Sequence, residues 1–295
     1  MTAVNSESMF AHFVGFKANF REGFESAENT NLWTIFSTLV PSGTREEFYQ
    51  WLGQVPRMRE WAGDRVVQEM EANEYRIKNK DFEVTIGVKR NDLEDGQNPG
   101  LIFRFRDLGI AAAEWPNEQT FDVLKNGESL VGYDGVPRFS TAHEMNGTQS
   151  NYDASGGGEP WILVDNRKSV GPVIFQLRQS ANLQRFDSRA DAPMFWKKQA
   201  VYGADTRGAA APGLWFTAFK SLNTLDETNF DAAMALMMGR KNDEGRGLGV
   251  RPRVLITTPA NRARALELLR VDRLASGATN KNFQAVDLLV TELLD

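Results

Sequence analysis

An α+β fold is predicted by three stretches whose hydrophobic periods differ. Phe82, Val84, Ile86 and Val88 alternate with Asp81, Glu83, Thr85, Gly87 and Lys89, the period of a strand with one dry face and one wet face. Leu101, Phe105, Leu108, Ala112 and Trp115 recur at spacings of four and three, one stripe along a helix. From Asp226 onward the pattern reads helix, strand, helix, strand, a small α/β unit.

Taken in order, the chain opens with Met9, Phe10, Phe13, Val14, Phe16, Phe20 and Phe24 among polar neighbours, which predicts one helix followed by an extended arm. So many aromatics near a terminus imply that the segment is docked rather than frayed. A second cluster, Leu32, Trp33, Ile35, Phe36 and Leu39, is closed by the turn Pro41-Ser42-Gly43. Tyr75 and Ile77 alternate ahead of Asn79-Lys80-Asp81 and the period-2 run. One or two strands give too narrow an apolar face for a core, so this ribbon needs cover from its own domain or from a neighbouring subunit.

The turn-rich stretch 95–100 separates that ribbon from the helix beginning at Leu101. Pro116 cannot donate to the preceding turn, so it either kinks this helix or opens a second one that carries Phe121, Val123 and Leu124, and an interrupted long helix is expected. Residues 127–160, rich in Gly, Ser, Asn and Asp, read as a loop with a mobile middle. Four strand-like runs follow, 161–164, 173–177, 195–202 and 214–219, expected to form one antiparallel sheet with a hairpin near Thr206-Arg207-Gly208. Asp226 marks a helix start, 254–257 a short buried strand, Thr258-Pro259 the opening of another helix, and 286–289 a final strand.

Composition narrows the function classes. At 295 residues and 41% hydrophobic content the chain can bury a core. With no cysteine, disulfides and thiolate metal sites are excluded, and two histidines, His12 and His143, argue against an imidazole-built metal site. The net charge of -5 comes with scattered Lys and Arg, which gives no electrostatic footprint for tight nucleic-acid binding. Neither a membrane span nor a signal peptide is apparent, so a cytoplasmic product is expected.

A catalytic constellation does not emerge. Ser140, His143 and Glu144 lie together, but a triad is assembled from separate elements in space, and a loop histidine is the plainer reading. Gly245-Arg246-Gly247-Leu248-Gly249 matches no phosphate-loop fingerprint and precedes a strand instead of following one. The charges around it, Arg240, Lys241, Arg246 and Arg251, could instead meet acidic partners. Carboxylate pairs such as Glu46-Glu47, Glu94-Asp95 and Asp243-Glu244 read as solvated faces. A chain rich in aromatics, with arm-like segments and no chemistry, is better explained as a self-assembling structural subunit without cofactor.

Several stretches carry a family likeness. WLGQVPRMREWAGDRVVQEMEANEYRIKNKDFEVTIGVKRNDLEDG at 51–96, YDGVPRFSTAHE at 133–144, WILVDNRKSVGPVIFQLRQ at 161–179, KQAVYGADTRGAAAPGLWFTAF at 198–219 and RPRVLITTPANRARALELL at 251–269 resemble the major head subunit of Mu-like phages, the gpT family. The likeness is weakest over the first 40 or so residues. It implies the Hong Kong 97-type capsid fold: an N-terminal arm (1–44), an extended E-loop region (45–92), a P-domain (93–224) with a spine helix near 101–125 and long strands near 161–219, and an α/β A-domain (225–295). One departure is that the strand and helix of VLITTPANRARALELL follow the long strands, where the commoner order of this fold puts them first.

The likeness further implies a major capsid protein forming hexamers and pentamers of an icosahedral head around double-stranded DNA. Itself, portal, scaffold and decoration proteins would be its partners, the virion its location and the host cytoplasm its place of assembly. Scaffold and protease, if used, are expected to be separate proteins. Nothing in the residues identifies a covalent crosslinking pair. An encapsulin-like compartment shell is the alternative of the same fold, and a hydrolase using His143 and Glu144 a third reading. On the capsid reading a neighbouring subunit covers the ribbon, and Trp61, Arg65, Tyr75, Ile77, Phe82 and Ile86 are the candidate inter-subunit contacts.

Overall fold

The computed structural model describes residues 6–28, 31–53, 74–94, 100–188, 190–274 and 277–295. The first helix, α1 (Ser6–Glu28), buries Met9, Phe16 and Phe20. Strands β1 (Ser37–Pro41), β2 (Glu46–Phe48), β3 (Arg76–Lys78) and β4 (Lys80–Lys89) lead through a short helix α2 (Arg90–Glu94) into the long helix α3 (Gly100–Lys125). The expected helix is present, and α1 folds back onto α3. The helices touch backbone to backbone: a Cβ on Gly23 would lie 2.1 Å from Arg106 O, and one on Gly109 would lie 2.0 Å from Phe20 O. Phe16 stacks on Phe105 at 4.0 Å, and Tyr202 meets both rings edge-on.

Helix α3 runs unbroken through Pro116, where an interruption was expected. A proline inside a helix costs about 3 kcal/mol, but large buried side chains at about 1.5–3 kcal/mol each offset it. Trp115, Phe121, Val123 and Leu124 flank the proline and are all buried. Asn117 fastens the turn by accepting from Trp33 N at 2.9 Å, and Thr120 Oγ1 donates back to Pro116 O at 2.8 Å.

Residues 127–160, expected to be a loop with a mobile middle, are tied into the core. They form a two-residue hairpin, β5 (His143–Glu144) with β6 (Thr148–Gln149), and then β7 (Tyr152–Asp153). Arg138, Phe139, His143 and Asn151 are buried. Next come β8 (Trp161–Val164), β9 (Val173–Phe186), a short helix α4 (Ala192–Lys197), β10 (Gln199–Pro212) and β11 (Ala218–Ser221).

These strands do not make the single sheet expected of them. β9 and β10 join a four-stranded sheet in the order β1-β9-β10-β4, while β8 and β11 enter a second sheet. The physical reason lies in their faces. β8 is buried at every position, as a central strand covered on both sides must be, whereas the outer half of β9 alternates. Thr206-Arg207-Gly208 is a bulge within β10 rather than a hairpin. The turn between β9 and β10 is built around α4, with Pro193 in its first turn, so the strand expected from Phe195 begins only at Gln199.

The remaining elements are α5 (Glu227–Met238), β12 (Val254–Thr257), α6 (Arg262–Arg270) and β13 (Asp287–Val290). As expected, Asp226 caps α5, accepting from Asn229 N at 2.9 Å. The five-stranded sheet runs β13-β12-β8-β11-β7. Trp161, Leu163 and Leu255 face a cluster that holds Phe230, Met237, Ala265 and Leu269 of α5 and α6. Ile162, Val164, Val254 and Ile256 face Phe121, Val123 and Leu124 of α3. The sheet is thus the middle of three layers.

Candidate assembly surface

Strand β4 holds the residues singled out as contacts, and it sits at the edge of its sheet. Its inner rim is fully paired with β10, from Lys89 opposite Gln199 to Lys80 opposite Gly208. No other strand among the described residues pairs with its outer rim, and Asp81, Glu83 and Lys89 are exposed, charge that discourages indiscriminate pairing. Its apolar face is covered within the chain. Phe82 packs on Trp115 at 4.9 Å between ring centroids, and Val84 and Ile86 lie half-buried against the cluster built by α1 and α3. Cover for this face thus comes from within the chain, from Trp115 of α3 and from the cluster that α1, α3 and β10 share.

Tyr75 and Ile77 are placed by the same logic. Ile77 is 4% exposed in the central cluster. Tyr75 is half-buried and donates from its hydroxyl to Pro212 O at 2.9 Å, and burial pushes its hydroxyl pKa up. Trp61 and Arg65 lie outside the described residues. The structure therefore divides these residues, with Tyr75 and Ile77 at strand β3 of a two-stranded sheet against one cluster and Phe82 and Ile86 on β4 of the four-stranded sheet against two others.

Of the residues considered for chemistry, His143 belongs to a sealed polar strut, while Glu144 is exposed. His143 is fully buried and stacked on Trp215 at 4.3 Å. Its Nδ1 lies 2.6 Å from Asp134 Oδ2, and its Nε2 lies 3.1 Å from Asn151 Oδ1. Ser140 and Glu144 do not touch it: Ser140 Oγ accepts from Ala142 N, and Glu144 accepts from Thr148 Oγ1. A histidine with both nitrogens occupied and no exposed edge can neither meet a substrate nor relay a proton to one.

Arg240 was read as a loop charge available to acidic partners, and it is buried. Its Nη1 donates to Phe216 O and its Nη2 to Ser150 O at 3.1 Å, while its guanidinium lies over Trp215 at 5.2 Å. Arg138, also fully buried, donates to Pro172 O and Trp215 O at 3.0 and 2.9 Å. Burial lowers the guanidinium pKa to about 9 at Arg240 and about 10 at Arg138. Trp215 thus contacts both an imidazole and a guanidinium. Nothing in the spacing announces this, although a basic residue just past a helix end, after its capping glycine, is a weak pointer to a carbonyl-binding role.

Glu47 is a surface carboxylate tied to the turn before it. It accepts from Gly43 N, Thr44 N, Ser42 Oγ and Thr44 Oγ1 at 2.9–3.0 Å. Those hydrogen bonds, the one from Thr44 N foremost, lower its pKa to about 2. Among the described residues no group of three His, Asp or Glu could hold a metal ion. What the sequence reading passed over is a set of exposed aromatics. Phe195 and Trp196 on α4 are 69% and 78% exposed, and Phe103 on α3 is 61% exposed.

The model of the Mu-like prophage major head subunit gpT family matches residues 9–294. The chain belongs to that family. The major capsid protein of Escherichia phage Mu is 33% identical over 288 residues, covering 94% of this chain and 93% of that one. The subunit in the procapsid of bacteriophage JBD30 is 35% identical and covers 96% of this chain and 99% of its own, with a TM-score of 0.82. The subunit in the JBD30 capsid decorated with minor capsid protein trimers is 30% identical over 90% of this chain and 91% of its own, with a TM-score of 0.77. As a gpT-family member the chain is a major capsid protein of a phage head with the Hong Kong 97-type fold. Its gpT-family relatives are structural capsid proteins that build a shell.

Proposed function

We propose that this subunit assembles into hexamers and pentamers of an icosahedral head that encloses double-stranded DNA without sequence-specific binding. The observation that carries the reading is the likeness, end to end, to a subunit taken from an assembled procapsid. A net charge of -5 supports a shell that holds DNA without adhering to it. In this reading 1–44 is the N-terminal arm, 45–92 the E-loop region, 93–224 the P-domain and 225–295 the A-domain. The last of these is not closed on itself, because β12 pairs with β8.

Assembly would take place in the host cytoplasm with portal and scaffold proteins. Trimers of a minor capsid protein decorate the JBD30 capsid, and a decoration protein of that kind is a proposed partner here. The subunit acts as a structural component and carries out no catalysis. The sealed environment of His143 supports that reading. Of the six contact candidates, Trp61 and Arg65 are proposed to meet a neighbour directly. Tyr75 and Ile77 act first by seating β3, and Phe82 and Ile86 by seating β4, whose outer rim is left open.

Size-exclusion chromatography with negative-stain microscopy of the purified protein tests the proposal. Closed shells of uniform diameter are the expected outcome. Protein that stays monomeric under every assembly condition, with preserved melting, would remove it.

A further inference from the structure

The turn between β9 and β10 ends in an aromatic and basic knob. Phe195 and Trp196 project from α4 with their rings edge to face at 5.0 Å, and Lys197 and Lys198 follow, both exposed. Neither lysine meets a carboxylate among the described residues. The knob is held rigidly. Met194 on the same helix is 4% exposed in the cluster beneath it, Ser188 N donates to Asp191 Oδ2 at 2.7 Å, and Lys198 turns the chain at φ 50° while its carbonyl accepts from Arg90 N at 2.9 Å. Aromatic side chains carried on an anchored backbone lose less entropy on docking than those on a free loop, and aromatics are the usual anchors of protein interfaces.

A cavity of about 260 Å³ lies where β4 and β10 meet α3. Phe82, Val84, Ala112 and Trp115 give it an apolar floor, and Glu83, Glu118 and Asp205 stand around it. Glu83 accepts from Thr85 Oγ1, and Asp205 accepts from Gln179 and Gln184 side-chain amides. None of the three carboxylates meets a cation among the described residues. The knob of the same chain does not reach this groove. Gln199 lies opposite Lys89 and Ala204 opposite Val84, a separation of about 17 Å at 3.3–3.4 Å per residue, and Met194 anchors α4 at the far end.

We propose that the Phe195-Trp196 knob of one subunit docks into the groove between β4, β10 and α3 of a second copy, with Lys197 and Lys198 against Glu83, Glu118 and Asp205. Apolar shape and opposite charge match on both sides. Because knob and groove are different surfaces, the contact is head to tail, the kind that closes into a ring when its rotation allows. Two aromatics bury about 150–250 Å² each, against roughly 1,200–2,000 Å² for a stable interface, so the knob is one anchor of a larger contact. The proposal rests on the self-assembly reading.

The absence of cysteine from the chain makes crosslinking unambiguous. A Lys197→Cys/Glu118→Cys double variant, assembled and then oxidised, should give a ladder of covalent dimers, trimers and larger species that collapses under reductant, while each single variant stays monomeric on the gel. In parallel, Lys197→Glu/Lys198→Glu should lower shell yield at least tenfold with melting unchanged, and adding Glu83→Lys/Glu118→Lys should restore it. Shells of the double-cysteine variant that show no ladder, or a charge reversal that is not restored, overturn the proposal. Failure of the unmodified protein to form shells would instead remove the capsid reading on which it rests.

Discussion

At the scale of single residues, the decisive features are close contacts and buried polar groups. Gly109 and Gly23 permit backbone contact between α1 and α3, so Gly109→Val should destabilise the subunit by about 1–3 kcal/mol, the usual cost of overpacking. Denaturant unfolding reads this directly. Gly15, with open space around it, is the control: Gly15→Ala should be neutral or stabilising by up to about 1 kcal/mol. His143→Ala leaves Asp134 and Asn151 without their buried partner and should cost about 1–3 kcal/mol. Glu47 has a pKa lowered to about 2 in the folded state, against roughly 4.3 when unfolded. Its contribution is therefore present above pH 4–5 and fades as pH falls through about 2. The difference in melting temperature between the unmodified protein and Glu47→Gln should be constant near neutrality and shrink over that acid window.

At the scale of elements, periodicity made α3 and β4 legible, because an amphipathic pattern is local and survives in any fold that buries one face. Leu101, Phe105, Leu108, Ala112 and Trp115 all turned inward as their spacing required. What covers each face was not legible. The cover of β4 comes partly from α3, where Trp115 meets Phe82 from 33 residues further along the chain, and the division of the four strand-like runs between two sheets depends on pairings as distant as β8 with β12. At Pro116 the helix continues for the same reason, since a local rule met a stronger tertiary demand. Pro116→Ala should therefore leave α3 intact and raise the denaturation midpoint, restoring an N–H that the helix lacks. A charge at Ile86 should now lower subunit stability as well as assembly, since its side chain rests on the cluster shared by α1 and α3. Unchanged melting of Ile86→Asp would show that this packing contributes little.

At the scale of the whole molecule, the two sheets and their helices supply a core without any cysteine or metal-ligand cluster among the described residues. Assembly would then add what the single chain leaves open: the outer rim of β4, the aromatic knob of α4 and the groove it matches. The family likeness carried over most of the chain, whereas the knob was hidden from sequence reading because Phe195-Trp196 looks like the start of a buried strand until Pro193 is seen to open a helix. The most direct measurement of the central claim is electron cryomicroscopy of the purified, assembled protein. Closed icosahedral shells into which this fold fits, six and five subunits to a ring, are the predicted result. Open aggregates or monomers from a fully folded protein would contradict it.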